Sequence, residues 1–174
     1  MKLLVTGGAG FIGSNFIRFW LNRHPADRII NIDKLTYAGS TKNLENLPDG
    51  HQLIQQDICD PEVEDWMSGV DAVIHFAAFI AVGESMREPA RYFRNNVGGS
   101  LSLLDAMAQT GVRHLVFSST AAVYGNRSPY KARGQKDTPN ASDMVYADGG
   151  KQSTLRVSRH GTGYIGRLAL GVRA

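Results

Sequence analysis

Five short apolar runs are spaced along the first two thirds of the chain, separated by segments whose apolar residues recur at helical spacing. Leu3-Leu4-Val5 is the first run, and it ends in Thr6-Gly7-Gly8, the pattern of a buried strand entering a tight turn. Phe11, Ile12, Phe16, Ile17, Phe19 and Trp20 then repeat with the period of a helix that stops at Arg23, ahead of Pro25. Ile29-Ile30-Asn31-Ile32 predicts a second strand ending at Asp33, His51 to Gln56 a third, Ala72 to Phe76 a fourth and Leu115-Val116-Phe117 a fifth. Pro61 opens a short helix through Trp66 and Met67 that Gly69 closes. Pro89 starts a long helix whose apolar positions, from Tyr92 and Phe93 to Ala108, run to a stop at Gly111. Strands that are apolar throughout, alternating with helices, predict an α/β fold: a doubly wound parallel sheet covered on both faces.

The texture changes after Gly125. Residues 126–143 are polar and contain Pro129, Gly134 and Pro139, which predicts a loop. From Gly149 onward glycines and basic residues follow one another without a helical or strand period. All 16 acidic residues lie in 1–150, and Lys151, Arg156, Arg159, Arg167 and Arg173 follow with no acid among them, so the net charge of +3 belongs to the tail. Such a tail can signal nucleic-acid affinity, but it has no aromatic platform beyond Tyr164, so no nucleic-acid partner is expected.

With 43% hydrophobic and 20% charged residues, the 174-residue chain has the profile of a soluble globular domain. No apolar run approaches the roughly 20 residues that span a bilayer, so no membrane partner is expected. The N-terminus meets glycines within seven residues, unlike a signal peptide. A cytoplasmic location is the expectation. Cys59 stands alone, which excludes an internal disulfide or a cysteine metal site, and no metal is expected.

The chemistry-bearing motif is Gly7-Gly8-Ala9-Gly10-Phe11-Ile12-Gly13. Between a strand and a helix, glycines permit a tight turn, close approach of the backbone to a pyrophosphate, and close helix–strand contact. The helix N-terminus that follows, at Phe11 and Ile12, presents unpaired N–H groups to the phosphates. An acid about 20 residues further on completes the dinucleotide fingerprint. That acid is Asp33, placed to bind the adenosine ribose hydroxyls and to repel a 2′-phosphate, which favours NAD over NADP; the plainer alternative is a cap for the next turn.

Other candidates are more ambiguous. Asp57-Ile58 follows the third strand, where adenine would rest, or is a solvated strand end. His75 reads as a satisfied core histidine, while Phe76, Ala77 and Ala78 line the crossing of the cofactor, the alanines keeping side chains short there. Asn95-Asn96 is poorly placed in a helix by propensity, so a tertiary hydrogen bond is expected to hold one of them, and Asn95 is a cofactor candidate. Ser118-Ser119-Thr120 ends the fifth strand at the edge where ligands bind in such sheets.

Together these residues resemble the extended short-chain dehydrogenase/reductases, in particular the NAD-dependent sugar-nucleotide epimerases and dehydratases. Thr6 to Gly13 matches that group's opening, and Asp33-Lys34-Leu35-Thr36-Tyr37-Ala38-Gly39 with Asp57-Ile58-Cys59-Asp60 resembles dTDP-glucose 4,6-dehydratases, with Lys34 beside the cofactor. From His75 the likeness shifts to UDP-glucose 4-epimerase, through His75-Phe76-Ala77-Ala78, Ala81 to Ser85, Asn95-Asn96-Val97 and Phe117 to Gly125. Dehydratases place Asp-Glu after the Thr, where this chain has Ala121-Ala122, so the epimerase resemblance is preferred. Ile80 stands where epimerases usually carry Lys.

The resemblance implies oxidation at sugar C4 by NAD, rotation of the keto sugar and reduction from the other face. It implies a Tyr base assisted by a Lys on the same helix, with a Ser/Thr sharing the hydrogen bond. Thr120 and Tyr146 match the Ser/Thr and the Tyr, and Lys151 is the nearest candidate Lys, one residue further along than a Tyr-x-x-x-Lys requires. On a regular helix five positions turn that side chain about 140° from its partner, and Gly149-Gly150 would weaken any helix there. The resemblance covers 1–148, family members being about twice as long, so a truncated or frameshifted reading is expected, without the C-terminal substrate domain. The organisation expected is an NAD-binding domain over 1–125, a loop with the catalytic Tyr over 126–148 and an atypical basic tail over 149–174. The resemblance also implies a UDP-sugar substrate, weak or absent epimerase activity in this chain, and a homodimer through 88–110. A non-catalytic dinucleotide-binding module is the alternative from another class.

Overall fold

The computed structural model describes residues 1–118, 142–148, 151–158 and 167–171. Five strands, β1 (Lys2–Thr6), β2 (Arg28–Asp33), β3 (His51–Gln55), β4 (Ala72–His75) and β5 (Leu115–Phe117), form one parallel sheet in the order β3-β2-β1-β4-β5. The chain winds outward from β1 in both directions, so a crevice opens between β1 and β4 at the carboxyl edge, the topological switch point of such sheets. The fold is thus the doubly wound Rossmann-type sheet that the alternation predicts.

The apolar runs are continuous because both faces of the sheet are covered. Leu3, Val5, Ile29 and Ile74 pack with Ile17 and Leu21 of α1 (Phe11–Arg23). Leu4, Ile30, Ile32 and Val73 face the other way, toward Val63 and Met67 of a 3-10 helix (Pro61–Met67) and Leu103, Ala106 and Met107 of a later helix. Each fully buried aliphatic side chain is worth about 1.5–3 kcal/mol by area. Strand alternation therefore assigns Leu3 and Leu4, adjacent in sequence, to separate cores.

The long predicted helix is three pieces. A single α-helical turn α3 (Pro89–Tyr92) runs into a π-helical segment (Phe93–Gly98) and then α4 (Gly99–Thr110), with Gly111 after it. Helix α2 (Val82–Arg87) precedes them. The cause of the widened turn is Asn96, 2% exposed, whose Oδ1 accepts from the Phe79 N–H (2.8 Å) while its Nδ2 donates to the Phe79 carbonyl (3.0 Å). Apolar periodicity carries no information about such a clamp, so the pattern reads straight through it.

The chain divides into two compact units, 1–81 with 90–117 and 82–89 with 118–174. In the second, β6 (Ser142–Asp148), β7 (Lys151–Ser158) and β8 (Arg167–Gly171) form an antiparallel sheet, β6-β7-β8. The absence of a strand period after Gly149 is a misreading that this corrects. Leu155 and Val157 alternate with Arg156 and Ser158, Leu168 and Leu170 alternate likewise, and the register pairs Leu155 with Leu170 and Val157 with Leu168. Two runs separated by Gly149-Gly150 also carry a hairpin signal.

His75, as expected, is a satisfied core residue. Its Nε2 lies 3.1 Å from Ser100 Oγ, and its Nδ1 lies 2.5 Å from Thr6 Oγ1. Ser100 Oγ donates to the Asn96 carbonyl (2.6 Å), so it accepts from a protonated Nε2, leaving Nδ1 to accept from the Thr6 hydroxyl. Burial pushes the imidazole pKa down to about 4. The folded protein thus holds a neutral ring, whereas the unfolded chain protonates it near 6.5. The stability this confers is complete above about pH 6.5 and is lost as pH falls toward 4, by roughly 3 kcal/mol. Urea unfolding of His75→Gln across this window is expected to show that slope flattened, and an unchanged slope would assign the acid sensitivity to other groups.

Candidate functional site

At the end of β1 the backbone must turn away before it meets the continuation of β4. Gly7 makes the turn at φ +71°, and a Cβ there would lie 2.6 Å from the Ala77 nitrogen. No side chain fits that contact. A Cβ on Gly13 would lie 2.4 Å from the Gly7 carbonyl oxygen, so the first turn of α1 rests directly on the glycine turn.

The hydrogen bonds of the turn separate structural donors from free ones. Gly7 N–H donates to the Ile32 carbonyl (2.9 Å), Gly8 N–H to Asn31 Oδ1 (2.9 Å), Ala9 N–H to Asp33 Oδ2 (2.8 Å) and Gly10 N–H to the Gly7 carbonyl (3.2 Å). Those donors are used by the protein. The first-turn N–H groups of α1, at Phe11, Ile12 and Gly13, have no partner within the helix. Gly10 offers no capping side chain and the first turn carries no acid. Phe11 and Ile12 are 80% and 61% exposed, so the positive end of the helix opens to solvent beside a backbone cradle that side chains would fill. A dinucleotide pyrophosphate fits this arrangement in charge and in shape.

Asp33, 8% exposed, is fixed at the adjoining strand end. Its second oxygen, Oδ1, accepts from the Leu35 N–H (2.8 Å), and Leu35 adopts a left-handed φ of 55° to supply it. Each carboxylate oxygen retains a lone pair for a further donor such as a ribose hydroxyl. Lys34 forms an ion pair with Asp57, whose other oxygen accepts from the Cys59 N–H (3.1 Å). Ile58, 7% exposed, packs in the core toward Leu103 and Met107 rather than lining open space. The loop after β2 is tied across the crevice, because the Tyr37 hydroxyl oxygen accepts from the Ile80 (2.7 Å) and Ala81 (3.0 Å) N–H groups. Phe76 is half-buried against Phe16, Ala77 is half-buried and Ala78 is exposed.

Of the two asparagines singled out in the sequence, Asn96 makes the tertiary bonds, and Asn95 Nδ2 donates to Asn96 Oδ1 (2.9 Å). Ser118 is exposed just after β5. Thr120 and Ala121-Ala122 lie outside the described residues. Tyr146 and Lys151 are on strands rather than on one helix: the register sets Tyr146 against Ser153 and Lys151 against Asp148. Sequence reasoning missed Asn31, Thr6, Ser100 and Tyr37. Asn31 had a visible signal, a polar residue at the centre of an apolar strand.

Asn31 is fully buried, and its Nδ2 lies 3.4 Å from His51 Nε2 on β3. Burial pushes the His51 pKa down, which keeps that nitrogen available to accept. Replacing Asn31 by Leu strands the Gly8 N–H without an acceptor, at a cost of about 1–3 kcal/mol. The expected result is a lower melting temperature and dinucleotide affinity weakened by about tenfold, read by fluorescence titration. Affinity equal to wild type would show that the glycine turn holds its shape without Asn31.

Comparison with known proteins agrees with this geometry. The model of the NAD dependent epimerase/dehydratase family matches residues 3–147. A dTDP-glucose 4,6-dehydratase of Mycobacterium tuberculosis is 42% identical over 149 residues, 84% of this chain and 45% of that protein. A UDP-glucose 4-epimerase of Corynebacterium glutamicum is 49% identical over 127 residues, 72% of this chain and 36% of that protein. The crystal structure of a dTDP-glucose 4,6-dehydratase from Streptomyces venezuelae, with NAD bound, superposes with a TM-score of 0.70 at 38% identity, over 80% of this chain and 45% of that one. The chain spans less than half the length of these relatives. It belongs to the NAD-dependent epimerase/dehydratase family, whose cofactor is NAD.

Proposed function

We propose that the chain holds NAD at the carboxyl edge of the parallel sheet and that its chemistry is that of a UDP-glucose 4-epimerase, with weak or absent turnover. The observation that carries the first half is the combination of an uncapped first turn of α1, at the exposed residues Phe11 and Ile12, with the immobilised carboxylate of Asp33. Gly7, Gly10 and Gly13 would hold the pyrophosphate. The free lone pairs of Asp33 would hold the adenosine ribose, with Lys34 and Asp57 on the adenine side and Ile58 supporting them from the core, and Phe76, Ala77, Ala78, Asn95 and Ser118 would flank the remainder. Residues 1–125 form the cofactor part in this reading, 126–148 carry the catalytic Tyr and 149–174 are an appended basic segment.

Bound NAD would supply a hydride acceptor for C4 of a nucleotide sugar. Tyr146 would take the proton from the C4 hydroxyl, Thr120 would share that hydrogen bond, and Lys151 would favour the ionised phenol. The sugar carries a UDP group in this reading, the protein works in the cytoplasm, and two copies meet through 88–110. The dehydratase relative matches a longer stretch, 149 residues against 127, and this favours dTDP-glucose 4,6-dehydration as a second reading. Against it stands Ala121-Ala122, which supplies neither the acid nor the base that removal of water requires.

Titration of the purified chain with NAD and NADP, followed by an assay of UDP-galactose conversion to UDP-glucose, tests the proposal. NAD binding in preference to NADP, with little or no turnover, is expected. Rapid turnover would show Tyr146 and Lys151 assembled into a complete site, and binding of neither dinucleotide would overturn the cofactor reading.

A further inference from the structure

Lys34 immediately follows the carboxylate that faces the ribose, and a cation there should welcome the 2′-phosphate of NADP. The side chain is 52% exposed and long enough to move. The sheet decides what it meets instead. Strands β2 and β3 run side by side to the same edge, with Asp33 opposite Gln55 and the Gln56 N–H donating to the Asp33 carbonyl (3.2 Å). The two chains therefore leave the sheet together, which brings Lys34 and Asp57 into contact.

Asp57 is held ready for that contact. One of its oxygens accepts from the Cys59 N–H, its own N–H donates to Asp60 Oδ2 (3.3 Å), and the Asp60 N–H donates to its carbonyl (3.0 Å). The turn thus fixes the carboxylate by bonds that do not involve Lys34, and Lys34 Nζ donates to the remaining oxygen. Burial alone would raise the Asp57 pKa, but the Lys34 ammonium and the Cys59 N–H hold it below its usual value, while the bond to Asp57 raises that of Lys34. Both groups stay charged at neutral pH. A pair this exposed contributes little to stability, so its consequence lies in what it denies to a ligand.

We propose that the Lys34–Asp57 ion pair sets the preference for NAD over NADP by occupying the cation that a 2′-phosphate would otherwise meet. Asp33 alone repels the phosphate; Asp57 removes the group beside it that would compensate. The inference rests on the NAD reading above, and it adds a residue that acts on selectivity without being the ribose-binding acid.

The Asp57→Asn variant separates the two parts, because an asparagine oxygen still accepts from the Cys59 N–H while the charge is gone. Dissociation constants for NAD and NADP would be measured for the full chain, for D57N, and for the double variant D57N with Lys34→Met. The ratio of the two constants is the readout, since any shared loss at the adenine cancels in it. D57N is expected to improve NADP relative to NAD by about tenfold, the worth of one charge-assisted hydrogen bond, and the double variant to return the ratio to that of the wild type. A ratio unmoved in D57N, or a gain that persists without Lys34, overturns the proposal while leaving NAD binding intact. Wild-type protein that binds neither dinucleotide overturns the cofactor reading, and this inference with it.

Discussion

The approach of the Gly7 backbone to that of Ala77 is the contact on which the carboxyl edge of the sheet depends. Parallel strands sit close enough that two chains leaving neighbouring strands compete for the same space. At this edge β1 turns first and β4 continues past it, and the turn is possible only because position 7 has no Cβ and accepts a positive φ. Once made, the turn aims α1 so that its first N–H groups face the crevice. The Gly13–Gly7 contact then locks the helix to the turn, so anion affinity follows from backbone packing and needs no charged side chain.

Polar groups inside the sheet hold this geometry from behind. The Ala77 N–H (3.4 Å from Thr6 Oγ1), the Thr6 hydroxyl, the His75 ring, the Ser100 hydroxyl and the Asn96 carbonyl form one directed chain of hydrogen bonds. It connects β1, β4 and the π-helical segment. Asn96 extends the chain to Phe79 through both atoms of its amide, and the Tyr37 hydroxyl secures the next two residues, Ile80 and Ala81. Every buried polar atom in this path has a partner, which is what makes such a path tolerable inside an apolar core. The π turn is the local cost of turning Asn96 toward Phe79.

This division explains what the sequence discloses. The five parallel strands, α1 and the glycine turn are legible because each rests on a local signal: apolar runs, helical spacing, glycines at fixed offsets. Asp33 is legible for the same reason, as an acid at the end of an apolar strand. Asn31, Thr6, Ser100 and Tyr37 are not, because each owes its role to a partner between 23 and 71 residues away. Hydropathy registers Asn31 as an interruption and cannot say that it interrupts in order to reach Gly8. The hairpin of β6 and β7 escaped for another reason. Its alternation is short and mixed with polar and charged residues, so charge and glycine content mask the period that Leu155 and Val157 carry.

The hairpin also alters the meaning of the spacing between Tyr146 and Lys151. On a helix, residues four apart share a face and residues five apart do not, so the additional glycine would separate the pair. Pairing in an antiparallel ladder follows a different rule, in which distance along the chain is measured from the turn. Asp148 and Lys151 stand directly opposite, and Tyr146 lies two positions beyond Asp148 on the same strand, which makes positions 146 and 151 diagonal neighbours in the register. The residue that excludes a shared helix face therefore does not by itself separate the two positions. A tyrosine whose proton is drawn off by a nearby ammonium requires proximity, and either element can provide it. Positions two apart on one strand, and positions directly opposite across the ladder, share a face of the sheet, so a spacing of five that breaks a helical pair leaves a ladder pair on a common side.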